Sequence, residues 1–476
     1  MLFNSLTFLV FFLVVLALHN APFPWRVKKT NLLIASYVFY AAWNPPFVIL
    51  LWISTIVDWF AARRIHRAKT LATRRLFLLV SLCCNLGLLG FFKYGGFLLD
   101  NFIYVLAQFG VHFEPLAVDI ILPVGISFYT FQTLSYTLDV YKGNAKPWQS
   151  FLDFALFVTF FPQLVAGPIV RAVDFLPQCI TPKRATQTEM SWGLVLLLVG
   201  LLQKVVVADA LMAPISDRVF NSQDPLIWHN AWAGTLAFSV QIFFDFAGYS
   251  TCAIGVALCL GFYLPDNFRY PYAAIGFSDF WKRWHISLSS WLRDYLYIPL
   301  GGNRKGRVRT HVNLMVTMLL GGLWHGASWT FVAWGGLHGI YRVIERFAAR
   351  AGLVPTSDSA LWKRLAGVSL TYLAVCFTWV LFRAQSFGQA FDLVSSMVGM
   401  QSENAVGVIS RVDIMTAFLV NGCVLAHHWF MRERSLVDVF AGLRWPVQSA
   451  AIAAMLLLLF WGSNGGDERA FIYFQF

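Results

Sequence analysis

Long apolar stretches follow one another along almost the whole chain, and no other feature limits the possible folds as strongly. Each stretch approaches the length that an α-helix needs to cross the hydrocarbon of a bilayer. The sequence therefore predicts an all-α polytopic membrane protein with roughly eleven to thirteen transmembrane or re-entrant helices. The stretches are centred near Val10, Ala35, Ile53, Val80, Ile126, Leu197, Phe238, Val256, Thr317, Val332, Leu373, Phe418 and Leu457.

Two apolar stretches need separate interpretation. Residues Phe8 to Leu18 resemble a signal peptide in length, but no positive segment precedes them, and they are predicted to be a retained first helix. Residues Phe151 to Leu164 form a short stretch that Pro162 interrupts, which predicts a re-entrant or buried segment.

The charged residues are few and are placed as in a membrane protein. Hydrophobic residues make up 58% of the chain and charged residues 13%, with a net charge of +12. The basic residues lie in short segments between apolar stretches, so nucleic acid is not expected as a partner. Residues 63–75 hold six Lys or Arg and no acid, which places this loop in the cytoplasm and the N-terminus outside. The seven cysteines show no metal-ligand spacing, and we expect no metal site.

No long linker or repeat divides the chain, which predicts a single membrane domain over residues 1–476. Within it we expect N-terminal helices at 1–110, a catalytic core at 118–345 and C-terminal helices at 365–476.

The segment from Pro265 to Arg309 holds the most suggestive chemistry. Ser278 is positioned to cap a helix that Pro299, Gly301 and Gly302 would end. One face of that helix is apolar and the other polar, which predicts a helix lying in the membrane plane. The apolar face comprises Trp281, Trp284, Leu288, Trp291 and Tyr295, and the polar face comprises Lys282, His285, Ser289 and Arg293.

The same segment carries eight basic residues against three acids. Such an excess suits an anionic donor such as coenzyme A, because Lys and Arg form strong charge-assisted hydrogen bonds to phosphate. A cytoplasmic loop in contact with anionic lipid explains the charge equally well.

His325 lies inside an apolar stretch, in the sequence Gly321 to Trp329. An ionisable residue at such a position suggests function, whereas the alternative is a neutral imidazole bonded to a neighbouring helix. Gly322 with Gly326, and Gly335 with Gly339, have the spacing of closely packed helices and would also leave room for a thin substrate. His338 would lie about 20 Å from His325 along a continuous helix, so we interpret it as structural or as an end-of-helix residue.

Other chemistries find little support, because the chain has no Walker loop, dinucleotide-binding glycine motif, H-E-x-x-H or G-x-S-x-G. Asp139, Asp209 and Asp245 lie near apolar stretches and would suit an ion path, which keeps a transporter open. His427 and His428 adjoin Arg432 and Arg434, where interfacial solvation explains them.

Several motifs together resemble the membrane-bound O-acyltransferase (MBOAT) family, and they cover most of the chain. The strongest are Asp279 to Ser287 (DFWKRWHIS) and Trp324 to Gly326 (WHG). Further similarity is found at Leu122 to Phe128, at Pro162 to Pro168 and at Asp245 to Ser250. The ending, Phe471 to Phe476, is similar to that of the bacterial alginate O-acetyltransferase branch.

The resemblance implies a ring of helices around a thin core with a cytoplasmic donor funnel. It implies catalytic roles for His325 as general base and for His285, which would orient the donor or stabilise the oxyanion. The residues that we expect to bind the donor are Lys282, Arg283, Ser289, Arg293 and Trp324.

The activity implied is transfer of an acetyl group from a cytoplasmic thioester, acetyl-CoA, in the bacterial inner membrane, with no bound cofactor. The acceptor would be an exported polysaccharide such as alginate, reached directly, through a periplasmic acetyltransferase partner or through an acyl-histidine. Acyl transfer to peptidoglycan, cellulose or teichoic acid, a lipid acyltransferase, and a transporter or flippase are the alternatives.

Overall fold

The computed structural model describes residues 1–115, 120–356, 358–400, 402–464, 469 and 471–472. Within these ranges the regular structure is helical, and Leu226 and Val406 form one isolated β-bridge. The all-α prediction is confirmed. Residue 118, where the predicted catalytic core begins, and residues 473–476 of the C-terminal motif lie outside the described ranges.

Twenty α-helices follow one another in the described ranges. The first ten are α1 Leu6–Asn20, α2 Trp25–Ala41, α3 Val48–Arg67, α4 Leu71–Gln108, α5 Ile126–Lys142, α6 Phe151–Thr159, α7 Phe161–Leu164, α8 Ala172–Phe175, α9 Gln187–Leu201 and α10 Ala213–Phe220. The others are α11 Trp228–Cys259, α12 Phe277–Arg283, α13 Ile286–Leu292, α14 Gly306–His325, α15 Trp329–Arg350, α16 Leu361–Arg383, α17 Phe387–Met397, α18 Arg411–Met431, α19 Leu436–Ala441 and α20 Trp445–Asn464. π-helical turns occupy Leu202–Met212 and Arg293–Tyr297.

Seven helical segments of the described chain are long and apolar enough to cross a bilayer, which makes this a multi-pass membrane protein. They are Pro45–Arg67, Leu71–Gln108, Gln187–Phe220, Trp228–Cys259, Leu361–Arg383, Arg411–Met431 and Trp445–Ser463. The predicted spans near Phe238 and Val256 are one continuous 32-residue helix, α11. The predicted span centred near Ile126 instead begins there, because Gly125 adopts a left-handed conformation with φ of 75° that starts α5.

The short apolar segment predicted to be re-entrant or buried is buried from Asp153 to Leu164, while Phe151 at its start is exposed. Ser150 caps α6, and the helix ends at Thr159 before Phe160 turns the chain into α7. Phe154, Phe157 and Phe161 have no exposed surface. This segment is therefore an internal, broken helix and not a surface span.

The described chain separates into two compact units. The first comprises 1–193, 256–265 and 326–328, and the second comprises 194–255, 266–325 and 329–476. The first buries Asp58, which accepts hydrogen bonds from Asn85 (2.9 Å), Thr137 (3.0 Å) and Ser81. The second has an aromatic core that includes Trp284, Trp334 and Trp379. The single-domain partition stays a prediction.

Candidate active site

The segment predicted as one amphipathic helix is broken at its centre. α12 ends at Arg283 and α13 begins at Ile286, because His285 adopts a left-handed conformation with φ of 42°. The prediction of a continuous helix in the membrane plane is wrong. Of its predicted apolar face, Trp281, Trp284, Leu288 and Trp291 are buried inside the second unit and Tyr295 is half-buried. The Trp284 and Trp379 ring centroids are 4.9 Å apart. Interior packing has replaced the expected contact with lipid.

The start of this segment also differs from expectation. Ser278 does not cap α12, whose N-cap is Gly276 with φ of 90°. The backbone N–H of Ser278 instead donates to the Glu345 carboxylate on α15, at 2.8 Å. A Cβ at position 276 would lie 2.3 Å from Glu345 Oε1, so this glycine permits the close approach.

The break at His285 is fixed by Asn267. The backbone carbonyl of Asn267 accepts from the Ile286 N–H at 2.8 Å, and its side-chain oxygen accepts from Ser287 Oγ at 2.8 Å. Its amide nitrogen donates to Ser250 Oγ at 3.0 Å, which agrees with that placement of oxygen and nitrogen. A left-handed residue other than glycine is uncommon, and strained residues of this kind cluster at functional sites.

These hydrogen bonds define the tautomer of His285. Its Nδ1 lies 3.0 Å from Asn267 Oδ1, an atom that can only accept. Nδ1 therefore carries the proton, and Nε2 of the neutral ring is the hydrogen-bond acceptor. Complete burial lowers the pKa of His285 to about 3, because a charged ring would lose its hydration. His285 is a neutral acceptor near pH 7.

His325 is the last residue of α14, and its ring is nearly buried. The His285 and His325 ring centroids are 6.4 Å apart, and Trp324 contacts both rings at 5.8 and 5.1 Å. The ring centroids of Trp334 and His325 are 5.0 Å apart. The two predicted catalytic histidines are thus brought together, although 40 residues separate them in the chain.

α14 and α15 pack closely through their glycines. A Cβ at Gly322 would lie 2.2 Å from the Phe331 carbonyl oxygen, and one at Gly335 would lie 2.2 Å from that of Met318. A Cβ at Gly339 would lie 2.6 Å from Met315 Sδ. These glycines therefore serve helix packing, and this packing holds His325 at the end of α14.

A cavity of about 390 Å³ reaches His325. Trp281, Leu288, Met318, Gly321 and Trp334 also line it. Its remaining lining includes four basic side chains and no acid among the described residues, which gives the cavity a positive charge. The basic side chains are Lys282, Arg293, Arg342 and Arg346.

Three of the five predicted donor-binding residues line this cavity, namely Lys282, Ser289 and Arg293. Arg293 also pairs with Asp294 at 2.7 Å. Trp324 is buried in contact with both histidine rings and does not line the cavity.

Arg283 is likewise absent from the lining. Its guanidinium bonds Asp279 at 2.8 Å, Glu433 at 3.0 Å and the Arg432 carbonyl at 3.0 Å. Although burial raises the pKa of Asp279, the Ile275 N–H and the charge of Arg283 bring that pKa below its ordinary value. The geometry gives Arg283 a structural position, and donor binding by it stays a prediction.

Three further residues of the site were not predicted from the sequence, namely Arg342, Arg346 and Asn267. Arg342 and Arg346 are one turn apart on α15 and line the cavity, and Arg342 Nε is buried without a hydrogen bond. Two arginines at i and i+4 after the His338 segment were a usable signal. Asn267 stands in a polar loop, and no pattern connected it to His285.

The other polar residues that were singled out have structural partners. His338 lies within α15, not at its end, and its Nε2 contacts Thr378 at 3.0 Å. Asp245 and Asp209 both pair with Lys204, and these compensated charges do not describe an open ion path. His428 is buried and its Nδ1 accepts from the Tyr272 N–H, so interfacial solvation does not explain it. Asp139 is buried near the end of α5.

The chain is similar to a known protein family and to several known proteins. The family model of the membrane-bound O-acyltransferases matches residues 148–351, which include both histidines. The chain is 42% identical over 402 residues to the "probable alginate O-acetylase AlgI" of Azotobacter vinelandii, covering 83% of this chain and 78% of the relative. It is 36% identical to the protein so named from Pseudomonas putida over the full length of both chains.

A third relative has a different name. The chain is 39% identical over 444 residues to the "peptidoglycan O-acetyltransferase" of Helicobacter pylori, covering 86% of this chain and 82% of the relative. These similarities extend over most of each chain and agree with the resemblance of the histidine motifs. The protein is an acyltransferase and belongs to the membrane-bound O-acyltransferase (MBOAT) family.

Proposed function

We propose that this protein transfers an acetyl group from a cytoplasmic thioester donor across the bacterial inner membrane, for O-acetylation of an exported polysaccharide such as alginate. One observation carries the proposal: His325 lines a cavity that also holds four basic side chains, and the ring centroids of His285 and His325 are 6.4 Å apart. The names of the relatives in Azotobacter and Pseudomonas support alginate as the acceptor.

The donor in this proposal is acetyl-CoA. Its phosphates would bind the basic side chains Arg342, Arg346 and Lys282, and its thioester would extend toward His325. Arg342 suits this role because its Nε is a buried donor without a hydrogen bond. Burying a charged donor without a partner is costly, so an anionic ligand would remove that cost.

The chemistry needs a base, because a hydroxyl group is a poor nucleophile while it keeps its proton. His325 takes the proton of the acceptor hydroxyl as the oxygen forms its bond to the thioester carbonyl carbon. The C–S bond then breaks, and the thiolate that leaves takes the proton from His325. The products are an acetyl ester and a free thiol, and His325 is neutral again.

His285 would act differently from His325. With its proton on Nδ1, the ring has its hydrogen-bond acceptor at Nε2. His285 is fully buried and does not line the cavity, so a donor or hydroxyl oriented by it would have to enter beyond the present lining. Donation from Nε2 to an oxyanion would need the other tautomer. The geometry therefore favours orientation over oxyanion stabilisation.

The acceptor and the donor start on opposite sides of the membrane. An exported polysaccharide is outside the membrane while acetyl-CoA is inside, so either the hydroxyl enters the protein or a periplasmic partner receives the acetyl group. The name of the Helicobacter relative favours a second candidate acceptor, peptidoglycan.

Proteoliposomes test the proposal. Purified protein receives acetyl-labelled coenzyme A outside and an alginate or peptidoglycan oligosaccharide inside, and both thiol release and ester label are measured. We expect thiol release and ester formation in equal amounts, and neither with His325→Ala. Label on peptidoglycan alone would move the assignment to the second acceptor. If the wild type releases no thiol with either acceptor and with the periplasmic proteins added, acetyl-CoA is not the donor.

A further inference from the structure

A second cavity of the same unit lies away from the histidines. It has a volume of about 630 Å³, within the roughly 300–1,000 Å³ of ligand sites. It lies between α11, α16 and α18, each of which is long and apolar enough to cross the bilayer. We call it the lateral groove. Its lining is Trp228, Trp232, Leu236, Leu365, Val368, Ser369, Tyr372, Leu373, Phe418, Asn421, Leu425, Ala426 and Trp429.

The floor of the groove needs no polar ligand. Its two buried polar residues are Tyr372 and Asn421, and they bond each other. The Tyr372 hydroxyl also lies 2.6 Å from Ser239 Oγ. Because these groups are satisfied within the protein, the groove suits a hydrocarbon occupant.

The length of the groove matches one leaflet of a membrane. On α18 it extends from Phe418 to Trp429, which is about 16 Å at 1.5 Å per residue. Half of a hydrocarbon core of about 30 Å is about 15 Å. Phe418, Leu365 and Leu373 are each more than 40% exposed, so the groove opens sideways to lipid.

One end of the groove is positively charged. The Arg364 guanidinium lies 5.1 Å from the Trp429 ring, and its Nε is buried without a hydrogen bond. The N-terminus of α16 is also at this end of the groove. Ala360 provides no side-chain cap there, so the first N–H groups of the helix receive no hydrogen bond from a capping side chain. Two further basic residues are exposed close by in sequence: Lys363 precedes Arg364, and Arg434 is five residues after Trp429. An anion is the natural partner of these groups.

We propose that the lateral groove binds an anionic phospholipid, with one acyl chain along α16 and α18 and the phosphate at Arg364. The apolar floor, the one-leaflet length and the basic end together favour this occupant over a neutral lipid. The bound lipid would contact the C-terminal end of α18, which is bonded to α12. Three residues beyond Trp429, Arg432 bonds Asp279 of α12 at 2.8 Å. This proposal is independent of the acyl donor and acceptor.

The test is native mass spectrometry of the full-length protein in detergent, supplied with equal amounts of phosphatidylglycerol and phosphatidylcholine of the same acyl chains. We expect phosphatidylglycerol to be retained preferentially. Arg364→Gln should lower that preference about fivefold, since one basic contact is lost. Arg364→Lys should keep most of it. The matched control is Arg350→Gln, which removes a guanidinium 5.9 Å from the Phe347 ring outside the groove.

A second variant tests the acyl chain. Ala426→Trp fills the groove, so it should reduce the retention of both lipids there. Lipids bound at other surfaces of the protein should be retained as in the wild type. Equal retention of the two lipids by the wild type would overturn the proposal, as would a preference that survives Arg364→Gln. Unchanged retention in Ala426→Trp, with a folded protein by gel filtration, would place the lipid elsewhere.

Discussion

The two histidine-bearing segments of this acyltransferase are built in opposite ways. His325 ends a regular helix, α14, which packs through glycines against α15. His285 stands at a left-handed break between α12 and α13, two helices of seven residues each. His325 lines the cavity, whereas His285 is fully buried and is not among the residues that line it.

The difference shows how each ring is positioned. His325 is positioned by the close packing of α14 against α15 and by ring contacts with Trp324 and Trp334. His285 depends on a polar network, in which Asn267 holds both the backbone of the break and the Nδ1 proton. We therefore expect the two histidines to respond differently to mutation, and the comparison can be tested on activity, affinity and pH.

The largest effect should come from His325→Ala. General-base assistance contributes roughly 10²- to 10⁴-fold to a rate, so kcat should fall by at least about 100-fold while the protein still folds. The measurement is thiol release from acetyl-CoA in proteoliposomes. His338→Gln is the matched control, a buried histidine on α15 that bonds Thr378. An equal fall in kcat in both variants would show that His325 is not the general base.

Asn267→Leu should have the next largest effect, a fall in kcat of about 10- to 100-fold, because His285 loses the partner that fixes its tautomer. Asn267→Asp keeps an acceptor for the Nδ1 proton and should retain more activity. Because its carboxylate would raise the pKa of His285, the loss of activity on the acid side of the pH–rate profile should move to higher pH. Ser250→Ala removes only the bond to the Asn267 amide and should cost less. If Leu and Asp at position 267 gave the same pH profile, Asn267 would only support the fold.

A smaller effect is expected from Arg342→Gln. This change removes a cationic donor from the cavity and should raise the KM for acetyl-CoA about tenfold with kcat nearly unchanged. Steady-state rates over a range of donor concentrations separate the two constants. Arg350→Gln, at the exposed end of the same helix, should leave KM unchanged. A fall in kcat with constant KM would contradict a donor-binding role.

The smallest effect concerns stability against pH. The pKa of His285 is lowered by burial from the ordinary value near 6.5 to about 3. Below about pH 6.5 the His285 ring takes up a proton in the unfolded chain but not in the folded one. The free energy of unfolding is therefore unaffected by this ring above about pH 6.5 and falls as the pH drops below that value. Melting temperatures from about pH 7.5 to about pH 5 should fall less in His285→Asn than in the wild type. Parallel curves would show that His285 is accessible to protons.

The sequence by itself determined the membrane class, the helical fold and the pair of histidine motifs. Hydrocarbon provides no hydrogen-bonding partners, so long apolar stretches must form helices, and this requirement acts locally. The sequence also predicted the broken, buried segment at 151–164, because Pro162 interrupts a stretch too short to cross a bilayer. The glycine spacing on α14 and α15 predicted their close packing for the same local reason.

Only the tertiary structure decided where the site's side chains point. The aromatic stripe from Trp281 to Trp291 has a helical period, yet the backbone breaks at His285 because Asn267 and the aromatic core stabilise the broken form more than a continuous helix. Arg283 and Arg293 look equivalent in sequence, but one is bonded to Asp279 and Glu433 and the other lines the cavity. Such choices depend on partners distant in the chain, which periodicity and local composition do not encode.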